Sequence, residues 1–434
     1  MSIAKNSKKT LIRQVISILI QLITITVIAR TLGVEGNGKY AIAMLLPIFL
    51  AQFLSMGINS SIIYYIGNKE NSDEEIYANS WIISLLIIVL GVVIGLFLIG
   101  FFQEKLFPNI EQDILYLSLV IFPFSFLYSN LLAFLQAKEN FTTYNIASLT
   151  NAIVLFIIII SLYFLSLITI KNVIISGVLS LVISIVVTYY FVKKEKFTYV
   201  MNCISKKTIY KILSYGLRSH VSNLVTFVNY RADIFLLNLL SNPIAVGLYY
   251  VGVQIVERLW IVSSAMSTVL FPRFVALKED DEARNEVVAK SFRIVVLLTL
   301  FASILLIAFG YLFIKILFGV EYLDAYYIIL ELLPGVILGA GSRILANAIA
   351  AKGKPEYNMY TSVVAMIINI ILNIVLIPFY SFLGAAIATS IAYSLNTVMR
   401  IGLYKKVEND FSLKKLIISQ TDIKYLIEKG GKVI

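Results

Sequence analysis

The chain has 434 residues, of which 59% are hydrophobic and only 14% are charged, and its formal net charge at pH 7 is +11. This composition lies far from that of soluble globular domains and is typical of a membrane protein. The single cysteine, Cys203, excludes a disulfide framework and a cysteine-based metal site. The Lys and Arg residues lie mostly between apolar runs, which is typical of anchoring at a membrane surface and not of nucleic-acid binding.

Long, continuously apolar runs recur from one end of the chain to the other. Each is close to the length of about 20 residues that a helix needs to cross a bilayer, and the runs do not alternate as membrane-spanning strands would. The fold class is therefore predicted to be an all-α polytopic membrane protein, and the first run is predicted to be a span and not a signal peptide. The twelve predicted spans are residues 11–32, 40–66, 79–102, 113–137, 144–167, 172–192, 212–240, 244–271, 288–317, 325–351, 357–379 and 382–404.

The orientation of these spans follows from the distribution of Lys and Arg. If the N-terminus lies inside, the inner segments hold 27 of the 36 basic residues, the outer segments hold 5, and four arginines lie within spans. Basic residues accumulate on the cytoplasmic side of membrane proteins. Both termini are therefore predicted to be cytoplasmic.

Two pairs of similar segments predict an internal repeat. The sequence "QAKENFTTYN" (136–145) resembles "AAKGKPEYN" (350–358), and "GKYAIAM" (38–44) resembles "GLYYVGV" (247–253), at offsets of 213 and 209 residues. Because each half holds an even number of spans, the halves share an orientation. We expect two six-helix bundles related by a pseudo-two-fold axis along the membrane normal, with a central cavity.

This organisation predicts four parts of the chain. They are an N-terminal bundle (1–192), a basic cytoplasmic linker (193–211), a C-terminal bundle (212–404) and a basic cytoplasmic tail (405–434). Within the tail, residues 411–429 have the apolar spacing of a helix on the membrane surface, and an ordinary solvated tail is the alternative.

Charged residues inside spans are the main candidates for function, because each costs at least ~2.5 kcal/mol at the centre of a bilayer. Glu257 and Arg258 lie near the middle of their span, about 20 Å from either end, so neither side chain reaches the interface easily. A water-filled interior in which Arg258 faces the cargo is the preferred interpretation. The alternative is a structural ion pair with a neighbouring helix.

The seventh span carries four ionisable side chains. Helical spacing places Arg218 and Asp233 in one broad stripe and His220 with Arg231 on the opposite side. For the two arginines and Asp233, structural and functional interpretations stay open, since Arg218 lies near the inner end and the other two lie towards the outer end. His220 is the only histidine of the chain, and no catalytic or metal-binding pattern accompanies it.

The last third of the chain adds three polar positions. Arg343 lies among the small residues of "LGAGSRILANAIA", which would let a backbone or a bulky headgroup approach. Asn369 and Asn373 are four residues apart and share one helix face. They are interpreted as part of a polar lumen or, preferably, as hydrogen-bonding contacts between helices.

The sequence resembles a known family in four segments. They are "ARTLGVEGNGKYAIAM" (29–44), "GINSSIIYYIG" (57–67), "VGLYYVGVQIVERLWIVSSAMSTVLFPRF" (246–274) and "AAKGKPEYN…NIILNIVLIP" (350–378). They are similar to motifs of the polysaccharide-transport family, the Wzx-type flippases of O-antigen or capsule repeat units. This family lies in the superfamily of multidrug, oligosaccharidyl-lipid and polysaccharide exporters.

The resemblance implies a transporter and not an enzyme. Its cargo would be an undecaprenyl-pyrophosphate-linked oligosaccharide, moved by alternating access from the inner to the outer leaflet of the bacterial inner membrane. Membrane lipids, a polysaccharide polymerase and other assembly proteins are the further partners that it implies. No cofactor is expected, and coupling to a proton or sodium gradient stays open.

An excess of intramembrane cations fits such a cargo, because arginine binds pyrophosphate oxygens in a bidentate manner. Asp233 and Glu257 are the candidates for ion coupling, and no metal site is predicted. The residues assigned to a cationic, substrate-facing lumen are Arg258, Arg218, Arg231, Arg343 and His220.

Two alternatives remain at this point. A cation-coupled multidrug exporter would share the fold, although a pump for organic cations is expected to show the opposite excess of charge. A membrane glycosyltransferase or polysaccharide polymerase would need an acid–base constellation near an interface or a long outer loop, and the longest outer loop here is about 103–112.

Overall fold

A computed structural model describes residues 3–69, 71–197, 200–277, 280–408 and 411–418. Within these ranges all regular secondary structure is helical and no strand is present. The all-α prediction is therefore confirmed. The α-helices are, in chain order, α1 (Ile3–Leu54), α2 (Ile58–Asn68), α3 (Asp73–Leu106), α4 (Gln112–Leu119), α5 (Ile121–Ala137), α6 (Phe141–Phe164), α7 (Ile170–Lys194), α8 (Lys206–Leu240), α9 (Pro243–Glu257), α10 (Ile261–Ala276), α11 (Asp281–Leu317), α12 (Ala325–Ala351) and α13 (Pro355–Val407).

The twelve predicted spans all fall on helical segments. In the described ranges, nine helical stretches are long and apolar enough to cross a membrane. Two of these, in α1 and α13, each join two predicted spans across a residue with non-helical backbone angles, Gly33 (φ 69°) and Ser381 (φ 48°). The polar helix α8, which is the predicted seventh span, is not among the nine.

Three predicted spans are interrupted where the sequence suggested continuous helices. The second span breaks between α1 and α2, where Gly57 has φ 66°. The fourth divides into α4 and α5 around Val120, and the eighth divides at a 3₁₀ turn, Arg258–Trp260. Short 3₁₀ segments inside helices often mark functional hinges, so these breaks are informative for the site.

The chain forms two compact units. Unit 1 comprises Met1–Phe227 and Asn242–Gly247, and unit 2 comprises Val228–Ser241 and Leu248–Ile434. One cluster of the unit 1 core is formed by Ile28, Ile159, Ile168 and Val173. The predicted domain boundaries, with a linker at 193–211, stay a prediction.

The repeated segments form the same local structure in the two units. Residues 138–140 join α5 to α6, and residues 352–354 join α12 to α13. The central residue of each turn has a positive φ angle, 55° at Glu139 and 77° at Gly353. The sequence similarity therefore reflects a shared helix–turn–helix geometry.

Unit 2 contains a buried charge network at the ends of three helices. Arg284 is fully buried, and its guanidinium lies 2.7 Å from the Glu408 carboxylate and 2.5 Å from that of Asp281. Lys352 lies 3.2 Å from Glu408. Arg284, which the sequence places among the basic residues of an inner segment, thus ties the start of α11 to the end of α13.

The C-terminal tail is described only in part. Helix α13 ends at Val407, and a 3₁₀ turn follows at Leu413–Leu416. The surface helix predicted over 411–429 lies mostly outside the described residues, because 419–434 are not among them.

Candidate functional site

Most of the predicted site residues lie in unit 2, where the polar stripes of α8 meet α9, α12 and α13. Arg231 of α8 donates a hydrogen bond to Glu257 at the end of α9, with 3.3 Å between Nη1 and Oε1. Both side chains are about one quarter exposed, at 27% and 24%. Their charges therefore neutralise each other in this structure. This corresponds to the alternative of a structural ion pair between neighbouring helices.

Arg258 opens the 3₁₀ turn that separates α9 from α10. Its Nη2 donates a hydrogen bond to Oε1 of Gln254, one helical turn earlier, at 3.1 Å. The side chain is half-buried. The helix break thus directs Arg258 towards a neutral amide of its own segment.

Arg343 of α12 is held by an aromatic ring and two hydroxyl groups. Its guanidinium carbon lies 4.5 Å from the centre of the Trp260 ring, within the range of a cation–π contact. The same group donates hydrogen bonds to Ser264 and Tyr230, both at 3.1 Å. Trp260 is fixed in turn, because its indole N–H donates to the Val336 carbonyl at 2.9 Å. The 3₁₀ turn that begins at Arg258 therefore supplies the platform for a second arginine.

Arg400 of α13 is a further candidate site residue, one that the sequence did not indicate. Its three guanidinium nitrogens donate to hydroxyl groups of Ser342 (3.0 Å), Ser362 (3.1 Å) and Thr361 (3.3 Å). From the sequence alone, Arg400 is expected to be one of the cytoplasmic anchors. Its position four residues inside the predicted span 382–404 was the signal that could have identified it.

Arg400 contacts the turn of α12 that carries Arg343. Its acceptor there, Ser342, directly precedes Arg343 in the chain. In the described part of the chain, the hydrogen-bond partners of both guanidinium groups are neutral hydroxyls. Hydroxyls satisfy the N–H donors but do not balance the charge. The pair therefore favours an anionic ligand with several oxygen atoms.

Asp233 of α8 lies at the centre of a second, fully buried cluster. Its Oδ2 accepts hydrogen bonds from Tyr249 of α9 at 2.5 Å and from Thr389 of α13 at 3.2 Å. Its Oδ1 accepts from the backbone N–H of Ile234 at 2.7 Å. The carboxylate is only 1% exposed, so its charge or its proton is held entirely by the protein.

The two predicted asparagines extend this cluster. Asn369 donates to Thr389 at 3.2 Å, and Asn373 donates to the backbone carbonyl of Asn369 at 2.8 Å. Both side chains are buried; Asn369 links the two halves of α13 through Thr389, whereas the hydrogen bonds that Asn373 donates stay within its own helix. Carboxylate, amide and hydroxyl oxygens suit a small hard cation, or a proton on Asp233. In the described residues no group of three or more His, Cys, Asp or Glu side chains could hold a metal ion.

The two remaining predicted residues lie in unit 1. His220 is 6% exposed, with Nδ1 3.2 Å from Ser55 Oγ and Nε2 3.1 Å from the Phe53 carbonyl. Both ring nitrogens thus engage the break between α1 and α2. Arg218 is exposed on α8. These two residues thus belong to a different unit from the other predicted arginines, and their assignment to a substrate path stays a prediction.

The chain matches the family described as "Polysaccharide biosynthesis protein" over residues 3–278. A protein of Shigella flexneri, whose assigned name is that of an O-antigen transporter, is 27% identical over 94% of this chain and 99% of its own length. The capsular polysaccharide biosynthesis protein CapF of Staphylococcus aureus is 26% identical over 93% of this chain and 99% of its own length.

Among solved structures, the lipid II flippase MurJ in an inward closed conformation superposes with a TM-score of 0.79. The superposition covers 98% of this chain and 92% of that protein, at 17% identity, which shows the fold. The chain therefore has the predicted polytopic fold of twelve transmembrane helices in two bundles.

Proposed function

The chain belongs to the polysaccharide biosynthesis protein family, and we propose that it is a flippase for a lipid-linked oligosaccharide repeat unit. Its cargo is an undecaprenyl-pyrophosphate-linked oligosaccharide that moves from the inner to the outer leaflet by alternating access, for O-antigen, capsule or exopolysaccharide synthesis. The names of the relatives from Shigella flexneri and Staphylococcus aureus support this class of cargo. The activity is transport, so no covalent bond is made or broken.

The observation that carries the proposal is a pair of arginines whose hydrogen-bond partners, among the described residues, are hydroxyl groups and not carboxylates. Arg343 and Arg400 are held by hydroxyls and by Trp260, which position the guanidinium groups without neutralising them. A pyrophosphate carries the opposite charge and enough oxygens to accept from both. Arg258 opens the turn that contains Trp260, and we propose that it also contacts the pyrophosphate.

The two alternatives explain these features less well. An exporter of organic cations would place its cargo beside two uncompensated arginines, which repel it. A glycosyltransferase or polymerase would need an acid–base pair at a reacting centre. The carboxylate of Asp233 is only 1% exposed and is enclosed by Tyr249 and Thr389, so it is not open to a reacting sugar in this structure.

Ion coupling is the second part of the proposal, and Asp233 is its centre. A fully buried carboxylate must be neutralised by hydrogen bonds, a proton or a cation, so its occupancy alters the packing of α8, α9 and α13. Glu257 is the weaker candidate, because Arg231 already neutralises it.

The location and partners follow from the cargo. We place the protein in the bacterial inner membrane with both termini in the cytoplasm, where the basic segments accumulate. A polymerase and other assembly proteins act on the product in the outer leaflet. Cysteines introduced at Gln103 and Asn172 should react with an impermeant thiol reagent from outside, whereas cysteines at Ser205 and Lys354 should not; reversed labelling would overturn this orientation.

The function is tested by deletion of the gene in its host. Finished lipid-linked repeat units should accumulate on the inner leaflet, and the surface polysaccharide should disappear. A polymerase defect would instead leave single repeat units at the outer surface, and a transferase defect would leave incomplete units. Normal surface polysaccharide together with increased sensitivity to cationic drugs would favour the multidrug exporter.

A further inference from the structure

Unit 1 contains a pocket of about 420 Å³ beside the break between α1 and α2. Its volume lies in the range of small-molecule sites, about 300–1,000 Å³. None of its 16 lining residues is charged. Eight of them are polar, namely four serines and the four amides Gln52, Asn59, Asn130 and Asn223.

Two amides of this pocket, Asn130 and Asn59, are held by hydrogen bonds within the protein. Asn130 is 4% exposed and donates to Ser84 at 2.7 Å, and Ser84 donates to the Ser80 carbonyl at 2.6 Å. Asn59 donates to Ser129 at 2.7 Å. Oδ1 of Asn59 is buried and has no hydrogen-bond partner in the described chain. A buried acceptor without a partner is costly, so this atom favours a donor from a bound molecule or water.

The wall of the pocket is held by the helix break. Ser55 and Gly57 line it, and Gly57 adopts a φ angle of 66° that a residue with a side chain rarely takes. His220 fixes this segment from α8 through its contacts with Phe53 and Ser55. The pocket is therefore a built feature of unit 1 and not a gap between loosely packed helices.

The chemistry of the lining selects one class of ligand. An ion would find no opposite charge there, and an apolar molecule would leave the amides and hydroxyls without partners. The hydroxyl groups of a sugar donate and accept, as amides and serines do. We propose that this pocket binds sugar hydroxyls of the oligosaccharide, which rests on the proposed flippase function.

The test compares two lipids on the full-length protein in nanodiscs. The probes are undecaprenyl pyrophosphate and the undecaprenyl-pyrophosphate-linked oligosaccharide extracted from the deletion strain. Asn59→Leu should weaken binding of the oligosaccharide-bearing lipid about tenfold, the effect of losing one good hydrogen bond, and leave that of the sugar-free lipid within twofold. Asn223→Ala changes an exposed lining position, so it carries little risk to folding. It should shift the ratio of the affinities for the two lipids in the same direction.

The matched control is Asn151→Leu, because Asn151 also donates to a serine, Ser180, at 3.1 Å in unit 1 but does not line the pocket. It should leave the ratio of the two affinities unchanged. Equal weakening of both probes by Asn59→Leu and Asn223→Ala, or a ratio shift in Asn151→Leu, would overturn the sugar subsite. A wild-type protein that binds both probes equally would refute this proposal alone, whereas one that binds neither would refute the flippase function.

Discussion

The polar interiors of the two units differ in charge. Unit 2 contains two arginines held by hydroxyls, an Arg231–Glu257 ion pair and a buried Asp233. The pocket of unit 1 is lined by amides, serines and apolar side chains, and none of its lining residues is charged. The polar groups of unit 2 thus suit an anionic ligand and a coupling cation, whereas the pocket of unit 1 suits neutral hydroxyl groups.

This difference suggests how one protein recognises a cargo with two chemical parts: each unit binds one of them. A lipid-linked oligosaccharide combines a charged pyrophosphate with a neutral or weakly charged glycan. Charge gives strong but unspecific binding to every undecaprenyl pyrophosphate, whereas hydroxyl recognition depends on which sugar is present. We therefore expect unit 2 variants to affect all cargoes alike and unit 1 variants to change the preference among glycans.

The largest effect is expected from removal of the uncompensated arginines. Arg343→Ala together with Arg400→Ala should abolish export, because loss of a desolvated charge contact costs about 2–5 kcal/mol, or ~30-fold or more in affinity. Surface polysaccharide, normalised to the amount of protein in the membrane, is the measurement. Lysine at both positions keeps the charge but loses the bidentate geometry, so it should restore partial export.

A variant that fails to fold or insert would lose export for a reason other than binding. The melting temperature of each variant in detergent is therefore measured as well. If the double alanine variant exports normally, the assignment of the pyrophosphate to unit 2 is wrong. Export lost for one glycan and kept for another would equally contradict the division of roles between the units.

A second, smaller effect is expected at Asp233. Asp233→Asn keeps the shape and the hydrogen bonds from Tyr249 and Thr389 but can bind neither a proton nor a cation through its charge. Transport driven by an imposed proton or sodium gradient should fall about tenfold, whereas exchange without a gradient should continue. Glu257→Gln is the comparison, and it should keep most of the gradient dependence; a reversed order would move the coupling site to Glu257.

The fold could be predicted from the sequence, because apolar length and the positions of Lys and Arg determine spans and orientation in a membrane. The breaks at Gly57 and Arg258 were not predicted, since the predicted spans 40–66 and 244–271 continue through both. Arg258, Asp233 and Arg343 were visible as charges inside spans. Arg400 was not, because an arginine near a helix end is ordinarily an interfacial anchor, and only the hydroxyls of two other segments reveal its burial.

The hydrogen-bond and ion-pair partners of each charged side chain could not be predicted from the sequence either. The sequence could not distinguish the neutralised Arg231 from Arg343, which has hydroxyl partners, because both are arginines inside predicted spans. That distinction depends on contacts far apart in the chain. His220 illustrates the same limit, since its partners at Phe53 and Ser55 precede it by more than 160 residues.

A third prediction concerns the stability of unit 1. His220→Ala should lower the free energy of unfolding by about 1–3 kcal/mol, because the buried imidazole and its contacts with Phe53 and Ser55 at the helix break are lost. The melting temperature in detergent measures this change. Export per folded molecule should change less than in the arginine variants; loss of export at unchanged melting temperature would instead make His220 a cargo contact.

The smallest effect is expected for the Arg231–Glu257 pair. It decides whether an arginine paired with a carboxylate contributes less to export than one whose hydrogen-bond partners are hydroxyl groups. Arg231→Ala leaves the carboxylate of Glu257 without its 3.3 Å partner, so it should lower stability by about 1 kcal/mol, the order found for partly exposed ion pairs. Adding Glu257→Ala removes that carboxylate as well and should recover most of the loss, which a double-mutant cycle on the melting temperature detects. Export should be reduced only modestly in both variants, because the proposed pyrophosphate site is formed by other arginines. If the single variant abolishes export and the second change does not restore it, Arg231 contacts the cargo, and ion pairing in the resting structure is no guide to which arginines bind it.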